Sequence, residues 1–173
     1  MESEVILRQY PVLHEGTSLH FWPDRGFLSF ITSHNVPRTT LAYNLSASKI
    51  LAQLDGAHRT SDIIRELALY YHSEEQEVAA KVLGFLEESL KELPVSLSDA
   101  PVPQTIRVTG NTSFITPMHA AIELTYRCNL LCKHCYAQCG KERTETLPED
   151  KAHKLLDILY SWGVTVVEFT GGE

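Results

Sequence analysis

Apolar residues recur along the first hundred positions with two different periods. Val12-Leu13-His14, Ser18-Leu19-His20-Phe21-Trp22, Phe27-Leu28-Ser29-Phe30-Ile31 and Thr39-Thr40-Leu41-Ala42-Tyr43 are short β-favouring runs. Gly16, Gly26 and Pro37 punctuate them, which predicts three or four strands. The period then becomes helical. Ala47, Ile50, Leu51 and Leu54 share one face behind a cap at Asn44 or Ser46, with Gly56 as the stop. Thr60 is placed to cap a second helix burying Ile63, Ile64, Leu67 and Tyr71. Ser73 with Gln76 reads as a capping box for a third, carrying Val78, Val82, Phe85, Leu86, Leu90 and Leu93.

From Leu93 to Pro103 the chain turns to Pro, Ser and Ala, which predicts a first domain over residues 1–95, a linker over 96–116 and a second domain over 117–173. In the second domain Ala120 to Leu124 reads as a buried strand. Thr146 and Glu149 suggest a capping box, ahead of Ala152, Leu155, Leu156, Leu159 and Trp162 at helical spacing, and Gly163 stops that helix. Val164 to Phe169 is a β-branched run. Strand, loop, helix and second parallel strand are how a (β/α) barrel begins. Two such strands leave Val166, Val167 and Phe169 without neighbours, so the chain is expected to be the N-terminal part of a longer protein, inactive by itself.

The net charge is -7, and residues 1–95 hold 13 Asp and Glu against 8 Lys and Arg. Such a surface repels phosphates and argues against a nucleic-acid partner. No apolar run approaches the roughly 20 residues of a membrane span, and the N-terminus lacks a signal-peptide core, so no membrane partner and a cytoplasmic location are expected. Free thiols fit that compartment.

All four cysteines fall in one stretch. Cys128, Cys132 and Cys135 lie in Cys-Asn-Leu-Leu-Cys-Lys-His-Cys-Tyr, and Cys139 follows. Three thiolates on a [4Fe-4S] cube leave one iron open to an outside molecule. Two other readings remain. The same spacing lies on one helical face, so the thiols can be small buried hydrophobes, although Lys133 and His134 are odd neighbours for that. Alternatively Cys139 and His134 complete a zinc site, although structural zinc ligands usually come as two separated pairs. Cys139 reads as a small loop residue. None of the eight histidines, and no other side chain, is assigned a catalytic role.

The second strand of that unit ends in Thr170-Gly171-Gly172-Glu173. Glycines allow close backbone approach to a ligand, and a carboxylate adds charge-assisted hydrogen bonding. Elsewhere the motif would be a turn; the C-terminal end of a barrel strand is where such folds place their sites.

The three-cysteine spacing and the Gly-Gly-Glu together resemble the radical S-adenosylmethionine (radical SAM) family. The aromatic residue usual before the third cysteine falls here at His134, a departure, and Tyr136 follows at once. The resemblance implies a [4Fe-4S] cluster on Cys128, Cys132 and Cys135, with SAM held by Gly171, Gly172 and Glu173 and with Tyr136 beside it. It implies one electron passed into the sulfonium, methionine released and a 5'-deoxyadenosyl radical formed, with flavodoxin or ferredoxin as electron donor.

The first domain resembles the PqqD-like domain, or RiPP recognition element, over roughly residues 6 to 95. Tyr43 to Gly56 and Thr60-Ser61-Asp62-Ile63-Ile64 are its most telling stretches. The fold implied is an α+β winged-helix-like domain followed by the start of an α/β radical SAM partial barrel. In that family the module binds the leader segment of a precursor peptide as an added strand. The edge would be Leu41, Ala42 and Tyr43, and the helical wall Val78, Val82 and Phe85; ordinary core packing is the competing role for each. The fusion is similar to enzymes that install thioether or carbon-carbon crosslinks, or epimerise residues, in a ribosomally made peptide. A standalone leader-binding adaptor and a zinc-binding winged-helix protein are the alternatives.

Overall fold

The computed structural model describes residues 2–31, 38–130, 132–140 and 143–172, with side chains from Glu4 onward. Pro37 and Glu173 lie outside the described residues. The chain divides into two compact units, Met1–Ser113 and Phe114–Glu173.

The first unit runs α1 (Glu2–Arg8), β1 (Tyr10–Leu13), β2 (Ser18–Phe21), β3 (Arg25–Phe30), β4 (Thr39–Asn44), α2 (Leu45–Leu51), α3 (Thr60–Tyr71), α4 (Glu75–Glu92), β5 (Val95–Ser98) and β6 (Arg107–Gly110). One sheet has the order β4-β3-β2-β6, antiparallel except where β6 runs parallel to β2. A second pairs β1 with β5. Alternation along the strands turns Leu19, Leu28 and Phe30 inward against Leu51, Leu54, Ile63, Leu67, Val82 and Leu86 from the helices. Their removal from water, at about 25 cal/mol per Å², is what holds helices to sheet.

Of the helix starts in the first unit, that of α2 falls at one of the two expected caps and the next two differ from expectation. Asn44 caps α2, its Oδ1 accepting from the Ala47 N–H at 2.9 Å, and the helix ends at Leu51, short of Gly56. Thr60 is the first residue of α3 and donates its hydroxyl to the Gln9 carbonyl, so it is buried glue between segments and not a cap. Ser73 donates to the Tyr71 carbonyl, and Glu74 opens α4 without a side-chain cap. The presumed linker is also partly folded. Val95–Ser98 pairs with β1 and Arg107–Gly110 with β2, which satisfies their backbone groups.

The second unit holds β7 (His119–Thr125), α5 (Glu149–Ser161) and β8 (Val166–Gly171). β7 and β8 are parallel, so strand, helix and strand make one mixed α/β unit. Its core is small: Ile122, Leu159 and Val164 are buried, with Leu155, Leu156 and Val167 packed against them. β7 is therefore only half-buried, and Trp162 is 51% exposed instead of completing the α5 stripe. The expected capping box is absent; Pro148 precedes α5, and the Thr146 hydroxyl is bonded to that of Thr125 at 2.9 Å. Gly163, at φ 78, ends the helix as its sequence position suggested. No helix of the described residues is long and apolar enough to cross a membrane.

Candidate functional site

The cysteines sit in a loop closed on the C-terminal end of β7. Tyr126 donates its N–H to the Glu145 carbonyl and Leu147 donates to Leu124, both at 2.8 Å, so the chain leaves β7 and returns beside it. Within the loop Cys128, Cys135 and Cys139 are half-buried and Cys132 is exposed; all four are free. The described residues of this stretch form turns and no helix, which removes the reading of the thiols as a helical stripe.

Backbone donors already face two sulfurs. The Leu130 N–H points to the Cys128 Sγ, and the Cys139 N–H to the Cys135 Sγ, each at 3.4 Å. The second of these holds the Cys135 thiol below its ordinary pKa. Burial, and then the neighbouring Cys135 charge, push Cys139 up. The donor chemistry suits iron or zinc. Among the described residues, however, no three His, Cys, Asp or Glu side chains converge on one point as a metal-holding group.

The glycines at the end of β8 press on the start of that loop. Gly171 has φ 130, and a Cβ there would lie 2.3 Å from the Thr125 carbonyl oxygen. Gly172 donates its N–H to the same oxygen at 2.7 Å. A Cβ on Gly172 would fall 1.8 Å from the Arg127 oxygen and 3.1 Å from the Cys128 Cβ. Only glycine permits that approach. Tyr136, largely exposed, is hydrogen-bonded through its hydroxyl to Thr170, one residue before the glycines. The structure thus groups Cys128, Tyr136, Gly171 and Gly172 at one end of the β7–β8 pair.

Sequence reasoning missed the side chains that shape this loop. Arg143 places its guanidinium 3.3 Å from the Tyr126 ring centroid and donates to the Ala137 carbonyl at 2.8 Å. The Tyr126 hydroxyl in turn bonds the Glu123 carboxylate. These partners have no periodicity to reveal them; an Arg a few residues past a cysteine cluster is the only signal.

In the first unit β4 is an edge strand. Leu41 and Tyr43 are half-buried, and Ala42 is exposed. Tyr43 meets Phe85 of α4 edge to face, with ring centroids 6.0 Å apart. Val82 is fully buried and Val78 nearly so, and both also line a cleft of about 190 Å³ with Ile50, Leu67, Tyr71 and Lys81. The edge and the wall therefore adjoin, with Val82 serving chiefly as core.

Residues 35–92, which take in β4 and all of α2 to α4, match the family described as Coenzyme PQQ synthesis protein D (PqqD). The antilisterial bacteriocin subtilosin biosynthesis protein AlbA of Bacillus subtilis (strain 168) is 28% identical over 172 residues, 97% of this chain and 38% of that protein. The sporulation killing factor maturation protein SkfB of the same organism is 31% identical over 90 residues, 51% of this chain and 22% of that protein. The chain carries a PqqD domain and is a homologue of radical SAM peptide maturases. This maturase homologue is also similar to the Fe-coproporphyrin III synthase of Methanosarcina barkeri (strain Fusaro / DSM 804), 45% identical over 51 residues, 29% of the chain and 13% of that protein. It spans well under half the length of each of these relatives.

Proposed function

We propose that this chain supplies the precursor-capturing module and the cofactor-binding start of a radical SAM enzyme that matures a ribosomally made peptide. The observation that carries the reading is the contact of Gly172 with Arg127 and Cys128, because it brings the glycine motif to the cysteine loop across a parallel strand pair.

In this reading residues 1–95 are the winged-helix-like leader-binding domain. The leader adds as a strand to β4 along Leu41, Ala42 and Tyr43, with Phe85, Val78 and Val82 as the wall. Main-chain bonds give affinity there, and side-chain pockets give choice. Residues 117–173 begin the radical SAM partial barrel. Cys128, Cys132 and Cys135 hold a [4Fe-4S] cluster, while Gly171, Gly172, Glu173 and Tyr136 hold SAM. When bound, the cluster and SAM supply a 5'-deoxyadenosyl radical; the protein's part is to place them. The Cys139 N–H at the Cys135 sulfur favours the thiolate form that iron needs. Cys139 has no counterpart in the three-cysteine signature and stays outside the ligand set. A cytoplasmic location, a flavodoxin or ferredoxin donor, and a thioether, carbon-carbon or epimerised product complete the proposal.

Anaerobic reconstitution with ferrous iron and sulfide tests it. A cluster whose EPR signal changes on adding SAM is the expected result. Stoichiometric zinc without iron overturns it, and leader binding without iron or SAM leaves an adaptor.

A further inference from the structure

The three proposed ligands all lie between Tyr126 and Ala137, and one side chain touches both of those residues. Arg143 lays its guanidinium on the Tyr126 ring and donates from Nη1 to the Ala137 carbonyl. Both contacts are to well-anchored groups. The Tyr126 backbone is bonded on both sides, to Glu145 and from Gly140, its hydroxyl reaches Glu123, and Ala137 is buried. Between those two posts the described loop makes few long-range bonds, and Cys132 is exposed.

We infer that Arg143 is a positioning residue: a clasp that joins the two ends of the cysteine loop and sets the span across which the three thiols must converge on iron. This rests on the proposed role of the loop. The planar guanidinium is what permits the double contact, because its face covers the ring while an edge N–H reaches the carbonyl. A lysine ammonium is a point charge with no planar face to cover the ring while a fixed edge reaches the carbonyl. The Glu145 carboxylate lies 3.9 Å from the Arg143 Nε and balances its charge, while Glu145 meets Tyr126 through its main-chain carbonyl, which a side-chain substitution leaves in place. Partners that orient metal ligands typically change metal affinity 10- to 100-fold on removal.

The test uses the whole chain and four forms: wild type, Arg143→Ala, Arg143→Lys and Glu145→Gln. Iron and sulfide per chain are measured after reconstitution, then iron loss to a chelator, with amide hydrogen exchange of residues 128–139 recorded before iron is added. The clasp predicts iron loss about tenfold faster in Arg143→Ala, little rescue by Arg143→Lys, near-normal behaviour of Glu145→Gln, and faster exchange confined to the loop while β7 and β8 stay protected. Equal iron retention and unchanged loop exchange in Arg143→Ala overturn it. So does full rescue by lysine, which would make the role one of charge. Should the wild type take up no iron, the proposed function fails, while the exchange measurement still decides the clasp. If Arg143→Ala also loses β7–β8 protection, Arg143→Gln keeps a donor for Ala137 without the ring stack. Wild-type loop exchange in that variant sinks the inference, and selective loosening supports it.

Discussion

Gly172 lies so close to Arg127 that a single added carbon would sit 1.8 Å from the Arg127 carbonyl oxygen. The obstacle is backbone on both sides, so it cannot rotate away. Gly172→Ala should therefore separate the end of β8 from the cysteine loop, at a cost on the order of 1–3 kcal/mol. Thermal unfolding and hydrogen exchange at Thr125 to Cys128 check this. A variant as stable and as protected as the wild type would mean that the contact is easily relieved.

The ligand set divides the cysteines three to one. Cys128→Ala, Cys132→Ala and Cys135→Ala should each abolish cluster assembly, since a cube held by two protein thiolates is labile. Cys139→Ala should retain iron, sulfide and the SAM-dependent EPR change. Loss of the cluster in Cys139→Ala, with retention in one of the other three, would reassign the ligands.

Tyr43 and Phe85 join the edge strand to its helical wall. An edge-to-face pair contributes about 0.5–1.5 kcal/mol beyond its buried area. A double-mutant cycle with Tyr43→Ala and Phe85→Ala should show coupling of that size in urea unfolding. If the leader docks between them, the same variants should weaken a fluorescent leader peptide. Leu86→Ala, at a fully buried site on the same helix, is the comparison: it should cost roughly 2–5 kcal/mol of stability. Under conditions where it remains folded, its affinity for the peptide should be near wild type.

Most of this architecture is legible in the sequence because it is periodic. β2, β3 and β4, the three principal helices of the first unit and the β7-α5-β8 order each follow from apolar spacing plus a punctuating residue such as Gly163. What escaped was set by distant pairing. Val95–Ser98 is a strand only because β1 lies beside it, and Arg107–Gly110 only because β2 does. Nothing in four residues of mixed polarity announces that. The caps expected at Thr60 and Thr146 failed for a related reason: both residues have the hydroxyl a cap needs, but tertiary partners at Gln9 and Thr125 took it. At the site, cysteine spacing and paired glycines were readable because their chemistry restricts residue type. The Arg143 contacts were not, because any cation at many positions can reach a ring.

The pH dependence of the first unit tests the burial of Tyr43. Burial, and after it the charge of Glu92, hold this phenol above its ordinary pKa of 10.0. The sign follows from which state binds the proton more tightly. Below the ordinary value both folded and unfolded chains carry a neutral phenol, and the contribution to stability is fully present. As pH rises past it the unfolded chain ionises first, so the contribution is lost progressively up to the folded pKa. Stability should therefore fall on the alkaline side, and Tyr43→Phe should flatten that limb without altering neutral pH. Tyr126 in the second unit is also raised, chiefly by its bond to Glu123, so the probe must report on the first unit alone. Trp22 does so, its ring edge to face with Phe27 at 4.7 Å between centroids, when Trp162 is replaced by Phe. Urea unfolding followed by Trp22 fluorescence at rising pH gives the slope. An identical alkaline slope in Tyr43→Phe would place Tyr43 in water, and with it the outer half of the β4 groove.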